Sequence, residues 1–84
     1  MSAARLPDLI VDARQMVPPE PMEHTLDALD ALQPGQEVLL IIPRQPVPLY
    51  DVLRNNGYAY RVENGSGDDA GLFYIHIRQI SAPE

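Results

Sequence analysis

Cysteine is absent from the 84 residues, and so is lysine, every basic side chain being an arginine. Without a thiol no disulfide forms. A domain of this length buries only about 60% of the surface its unfolded chain exposes, so it must be held by packing, by a partner, or by both. The same absence removes thiolate nucleophiles and thiolate metal ligands, and it fits a reducing cytoplasm. Long apolar runs are missing as well: the longest, Val38 to Ile42, reads as a buried strand and falls far short of a bilayer. Met1 to Pro7 has one charge, Arg5, and no apolar centre, so no secretory leader is expected. The expectation is a cytoplasmic chain with one domain over residues 8–80, between short tails at 1–7 and 81–84.

What charge there is runs strongly acidic, with 12 Asp and Glu against six arginines and a net charge of −6. The arginines, at 5, 14, 44, 54, 61 and 78, are scattered. A phosphate backbone is repelled by such a surface, which excludes general nucleic-acid binding.

Along the chain, Asp8 to Asp12, with Leu9, Ile10 and Val11 in succession, predicts a strand buried on both sides or paired centrally. Arg14 to Pro18 is the connection that follows. Proline is tolerated in the first turn of a helix, where backbone N–H groups have no partner, so Pro18, Pro19 and Pro21 mark a helix start. That helix is expected to run to about Gln33, with Met22, Leu26, Leu29 and Leu32 as its apolar stripe and Thr25 and Ala28 at the edge. Pro34-Gly35 ends it. Glu37 to Ile42 reads as a strand, Pro43 to Pro48 as a rigid connector, and Val47 to Asn56 as a shorter helix with Leu49, Val52 and Leu53 on one face. Asn55-Asn56-Gly57 supplies its left-handed exit.

Period-two alternation then puts Tyr58, Tyr60 and Val62 on one face of a strand. Asn64 to Gly71 is a flexible hairpin loop, and in the strand from Leu72 to Gln79 the residues Phe73, Ile75 and Ile77 face away from Tyr74, His76 and Arg78. The order βαβαββ is that of an α+β, two-layer α/β sandwich: a four-stranded mixed sheet with two helices on one face, because β-α-β crossovers are right-handed. The opposite face is left open.

Few residues are candidates for chemistry. Asp12 and Arg14 flank the first loop; the pair would position an anion near the helix start, or form a salt bridge holding the loop against the helix. Glu20, Glu23, Asp27 and Asp30 line the polar side of the first helix, as a docking surface for a basic partner or as an ordinary solvated face. His24 and His76 are the only histidines, too few for a metal site without carboxylates such as Glu20, Asp27 or Asp30; a hydrogen-bonded pair of His24 with Glu20 or Asp27 accounts for it locally. Tyr74, His76 and Arg78 on the open face suit an interface, while single exposed aromatics are also normal on small domains. Serines occur only at 2, 66 and 81, and Asn64-Gly65-Ser66-Gly67 joins two strands, so neither a catalytic triad nor a phosphate loop assembles. No catalytic residue, metal or cofactor is expected.

The segment Val11-Asp12-Ala13-Arg14-Gln15-Met16-Val17-Pro18-Pro19-Glu20-Pro21 resembles the opening of the TusA/SirA-like sulfur-carrier family. There a strand ends in Asp-x-Arg-Gly-Leu and leads into Cys-Pro-x-Pro, whose cysteine carries a persulfide at the helix start. Asp12, Arg14, Pro19, Glu20 and Pro21 fit; Pro18 stands at the cysteine position and Gln15 at the glycine. With Pro34 to Ile42 and Val47 to Tyr58, the likeness runs from Asp8 to Gln79. It is closest to a cysteine-less branch, domain-of-unknown-function family 2249, in which Pro-Pro-Glu-Pro and Pro-Val-Pro-Leu segments are typical.

The resemblance implies a TusA-like fold, and the missing thiol excludes persulfide transfer on this polypeptide. The fold also resembles the RNA-binding C-terminal domain of a bacterial translation initiation factor, a role the acidic charge argues against. Some members of the branch it resembles are joined to hemerythrin-like domains or found in nitrogen-oxide and anaerobic metabolism, which the resemblance offers as analogy. A diiron centre on this chain alone is excluded by ligand count.

Two readings follow. The first is an accessory module working by non-covalent protein contact through Arg14, Pro18, Pro19, Glu20, the acidic stripe and the open face with Tyr74 and His76. Its partner would be basic or hemerythrin-like, or a second copy meeting it through that face, with no nucleic acid and no membrane. The second is a small-molecule or metallocofactor site in redox or nitrogen-oxide metabolism, lined by Asp12, Arg14 and His24.

Overall fold

The computed structural model describes residues 7–17, 20–33 and 35–80. Pro18, Pro19, Pro34 and the tail segments 1–6 and 81–84 lie outside the described residues. The elements follow the order β1 (Leu9–Asp12), α1 (Glu20–Asp30), β2 (Glu37–Ile42), α2 (Val47–Asn55), β3 (Tyr58–Asn64) and β4 (Phe73–Gln79). The four strands form one mixed sheet in the order β1-β2-β4-β3, in which β1 is parallel to β2 and the remaining pairs are antiparallel. The architecture is the expected α+β sandwich.

Alternation along the strands explains why both helices lie on one side. Val38, Leu40 and Ile42 of β2 are buried while Glu37, Leu39 and Ile41 between them are half-exposed. Register carries this alternation across the sheet: Val38 faces Ile77 and Leu40 faces Ile75 on β4, which in turn face Tyr60 and Val62 on β3. Residues opposite one another share a face. Leu29 of α1 and Leu49 and Leu53 of α2 close over these rows. Tyr60 also stacks on Tyr50 of α2, with ring centroids 4.7 Å apart and planes within 4°.

Four sequence expectations change. Strand β1 is an edge strand, paired only with β2, and Ile10 is 60% exposed. Its apolar run has only Leu9 and Val11 on the helix side, so the central or doubly buried reading was wrong. Helix α1 ends at Asp30, and Ala31 and Leu32 tighten into i→i+3 hydrogen bonds to Ala28 and Leu29, at 3.1 Å each. Thr25 is at the centre of the buried stripe, fully enclosed beside Leu29, while Leu26 and Met22 are only half-buried. The hairpin loop carries a turn of 3₁₀ helix at Gly67–Asp69 and is tied by Gly65 N–H donating to the Leu72 carbonyl at 2.9 Å. At the end of α2, Gly57 takes φ +81°, the left-handed conformation expected there.

The Thr25 hydroxyl has no hydrogen-bond partner among the described residues. Enclosing an unpartnered hydroxyl costs about 1–3 kcal/mol, and valine has the same branched shape without the oxygen. Thr25→Val is therefore expected to stabilise the fold by about 1 kcal/mol, read as a rise in the urea midpoint at unchanged m. A lowered midpoint would mean that the hydroxyl has a partner in solution.

Candidate functional site

Two surfaces gather the residues singled out in the sequence, and they lie on opposite sides of the sheet. The first is a hollow at the start of α1. Strand β2 stops at Ile42 because Pro43 follows, and a proline-rich connector leads into α2. Met16 and Val17 lie in the loop that precedes α1. These segments enclose a cavity of about 330 Å³ whose lining includes the buried Leu40, Ile42 and Leu49. Pro21 and Met22 form its α1 wall, and Pro43, Arg44, Pro46 and Pro48 form the facing wall. Val17 on its rim is 66% exposed, and Val47 in the neighbouring turn is 58% exposed. Methionine walls adapt to an occupant more readily than branched side chains do.

Glu20 and Glu23 flank Pro21 and Met22 in α1 and are exposed, as are Asp27 and Asp30 further along the helix. The α1 side of the hollow is acidic in its first turn, while Arg44 lies in the facing wall. His24 is exposed, and no hydrogen bond joins it to Glu20 or Asp27 among the described residues, so the local pair expected for it does not form.

The second surface is the open face of the sheet. Asp12 and Arg14 belong here and not to the helix start, because Asp12 stands opposite Ile41, which stands opposite Tyr74. Arg14 Nε donates to Asp12 Oδ1 at 2.9 Å and Nη2 donates to Oδ2 at 2.7 Å, while the Arg14 backbone N–H reaches Oδ1 at 3.2 Å. This bidentate pair ties the end of β1 to its own loop, which corrects the expected bridge from loop to helix. Tyr74 donates its hydroxyl proton to Asp69 at 2.8 Å, and that hydrogen bond pushes the phenol above its usual range. Arg14 feels the charge of both groups.

The next row is built around His76. Its Nδ1 lies 2.8 Å from Glu37 Oε2 on β2 and its Nε2 2.8 Å from Glu63 Oε1 on β3, so one imidazole bridges the two strands flanking β4. Arg61 Nη1 approaches the other Glu63 oxygen at 3.1 Å. The hydrogen bond to His76, then its charge, hold the Glu63 carboxyl below the usual range. With both ring nitrogens against carboxylates, His76 staples three strands and has no nitrogen open to a ligand. Among the described residues, no three His, Asp or Glu side chains are grouped to hold a metal ion. Glu37 and Glu63 as partners of His76, and the hollow itself, were not anticipated from the sequence. The first depends on the register of three strands, and the second on loops that meet only in the fold.

Hydrogen bonds from the Arg14 guanidinium, then from its backbone N–H, lower the Asp12 carboxyl to about 2. A carboxylate depressed in the fold lends its stability above the unfolded value of about 3.9 and loses it as pH falls through the folded value. The Asp12 carboxyl carbon is therefore expected to titrate at about 2 by NMR, and Arg14→Gln, which removes the guanidinium and keeps the backbone N–H, should raise it part of the way toward the ordinary carboxylate range. Ordinary titration in the wild type would show that the pair does not persist in solution.

The sequence matches the family described as "Uncharacterized conserved protein (DUF2249)" over residues 10–78. No curated protein matches the chain. None of the helices among the described residues is long and apolar enough to cross a membrane.

Proposed function

Because the chain belongs to this uncharacterised conserved family through residues 10–78, we propose a function from the site itself: a small accessory module that binds a partner protein without covalent chemistry. The observation that carries the reading is the hollow at the start of α1, with its methionine and proline walls and the exposed Glu20 and Glu23 beside it. An apolar cleft with carboxylates on its α1 side and Arg44 in the facing wall is complementary to a segment that presents one apolar side chain, with arginine or lysine turned toward α1 and away from Arg44. Apolar anchors in such pockets carry most of a contact's energy, while the charges steer the encounter.

The scaffold on this reading is a TusA/SirA-like one in which Pro18 occupies the position of the persulfide cysteine. Proline there removes a backbone N–H as well as the thiol, which favours apolar contact over anion binding. The setting is cytoplasmic. Tyr74 and His76 belong to the open face and have a lesser part, since both side chains are already bonded within the domain.

A second reading, a small-molecule ligand in the same hollow, is favoured by its volume of about 330 Å³, which is within the range of ligand pockets. Asp12, Arg14 and His24 are not among the residues lining it, so the ligand would be apolar and anchored chiefly by shape.

Wild-type protein, Met22→Glu and the double charge reversal Glu23→Lys/Asp27→Lys, each checked for folding, serve as baits in extracts of the native host. The wild type is expected to recover a partner that both variants lose. Unchanged recovery by both variants removes the hollow and the acidic stripe from the account. Loss with Met22→Glu alone, accompanied by a thermal shift of the wild type with an apolar compound, selects the second reading.

A further inference from the structure

The structure assigns a self-complementary edge to β3, and we propose that two copies of the chain join there, strand to strand, about a twofold axis through Val62. Strand β3 is the margin of the sheet, with β4 on one side and no strand on the other among the described residues. Its pairing with β4 is continuous from Tyr58–Gln79 to Asn64–Phe73, without a bulge. Two flanking hydrogen bonds fix which backbone groups that pairing uses: Gly65 N–H donates to the Leu72 carbonyl at 2.9 Å, and Ile80 N–H donates to the Gly57 carbonyl at 3.0 Å. Antiparallel ladders alternate, so the odd-numbered residues turn their N–H and C=O groups toward β4. Tyr58, Tyr60, Val62 and Asn64 turn theirs outward. Such a row of unpaired groups is a template for another strand.

Charge selects both the partner and the register. Arg61 and Glu63 are exposed on the open face, on either side of Val62. With an antiparallel second copy centred on Val62, the outward groups of Val62 meet those of their counterpart, and each Arg61 falls opposite the other copy's Glu63 in a non-hydrogen-bonded pair, where side chains are closest. Two arginines and two glutamates then alternate around the axis. Centring on Arg61 or on Glu63 sets like charges opposite each other, and centring on Tyr60 leaves Arg61 against Ala59. Only the Val62 register matches both backbone and charge, so the same charges that repel an unrelated strand attract a second copy. The axis is normal to the sheet, which keeps all four helices on one side and joins the two open faces into one.

Sedimentation velocity from micromolar to millimolar protein tests this independently of the hollow. Wild type is expected to self-associate. Arg61→Glu, which leaves the Glu63–His76 contact in place, should weaken self-association roughly tenfold or more, two attractive cross-strand pairs having become repulsive. Glu63→Arg should do the same, and an equimolar mixture of the two variants should restore association, because opposite charges face each other again in the heterodimer. In a chain with no other thiol, Val62→Cys should crosslink to its counterpart under diamide far faster than Ala59→Cys, since only position 62 meets itself. This arm does not depend on Glu63→Arg folding. A wild type that stays monomeric, an Arg61→Glu variant that associates unchanged, or equal crosslinking at 59 and 62 overturns the proposal.

Discussion

Everything in this small domain depends on two facing rows of aliphatic side chains at the middle of the sheet. Val38 and Leu40 on β2 meet Ile77 and Ile75 on β4, all fully buried, and Leu29, Leu49 and Leu53 cover them from one side. There is no disulfide to share the burden. The apolar residues available suffice for one layer of core, so the opposite face of the sheet must be stable in water. It is made so by polar crosslinks: the Asp12–Arg14 fork, the Tyr74–Asp69 bond and the His76 staple between Glu37 and Glu63. Exposed pairs of this kind add little individually, and their effect is to fix register as much as to add stability.

One-sided burial also explains where unsatisfied surface remains. The hollow lies beside α1, where Pro43 stops β2, and the buried Leu40, Ile42 and Leu49 of the core form part of its lining. The sheet ends at β3, whose outward backbone groups stay available. One surface is apolar with Glu20 and Glu23 on one side and Arg44 on the other, and the other is polar with paired charges.

Patterns of short range in the sequence are those that local chemistry decides. The alternation in Tyr58–Val62 and Phe73–Ile77 and the spacing of Leu49 and Leu53 appear in the structure as read, as does the left-handed exit at Gly57. Leu9-Ile10-Val11 was misread because an apolar run has no period, so it cannot distinguish a central strand from an edge; pairing with β2 alone decides that. Thr25 reads as the edge of the stripe formed by Met22, Leu26, Leu29 and Leu32, whereas the 100° helical step places it over the sheet, where it is fully buried. Asp12 and Arg14 were recognised as a pair, but the side they face is set by β1 lying beside β2. The His76 contacts join residues 39 and 13 positions apart, a relation carried by register and invisible to any local pattern.

Adjacent residues of β2 offer the most direct test of one-sided burial, because Leu39 and Ile41 differ from Leu40 and Ile42 only in the face they occupy. Methyl NMR with a soluble paramagnetic probe measures each methyl's access to solvent. Leu39, Ile41 and Ile10 signals are expected to broaden strongly while those of Leu40, Ile42, Ile75 and Ile77 stay sharp. Equal protection of both sets would mean that the sheet is covered on both faces, contradicting the account at its foundation.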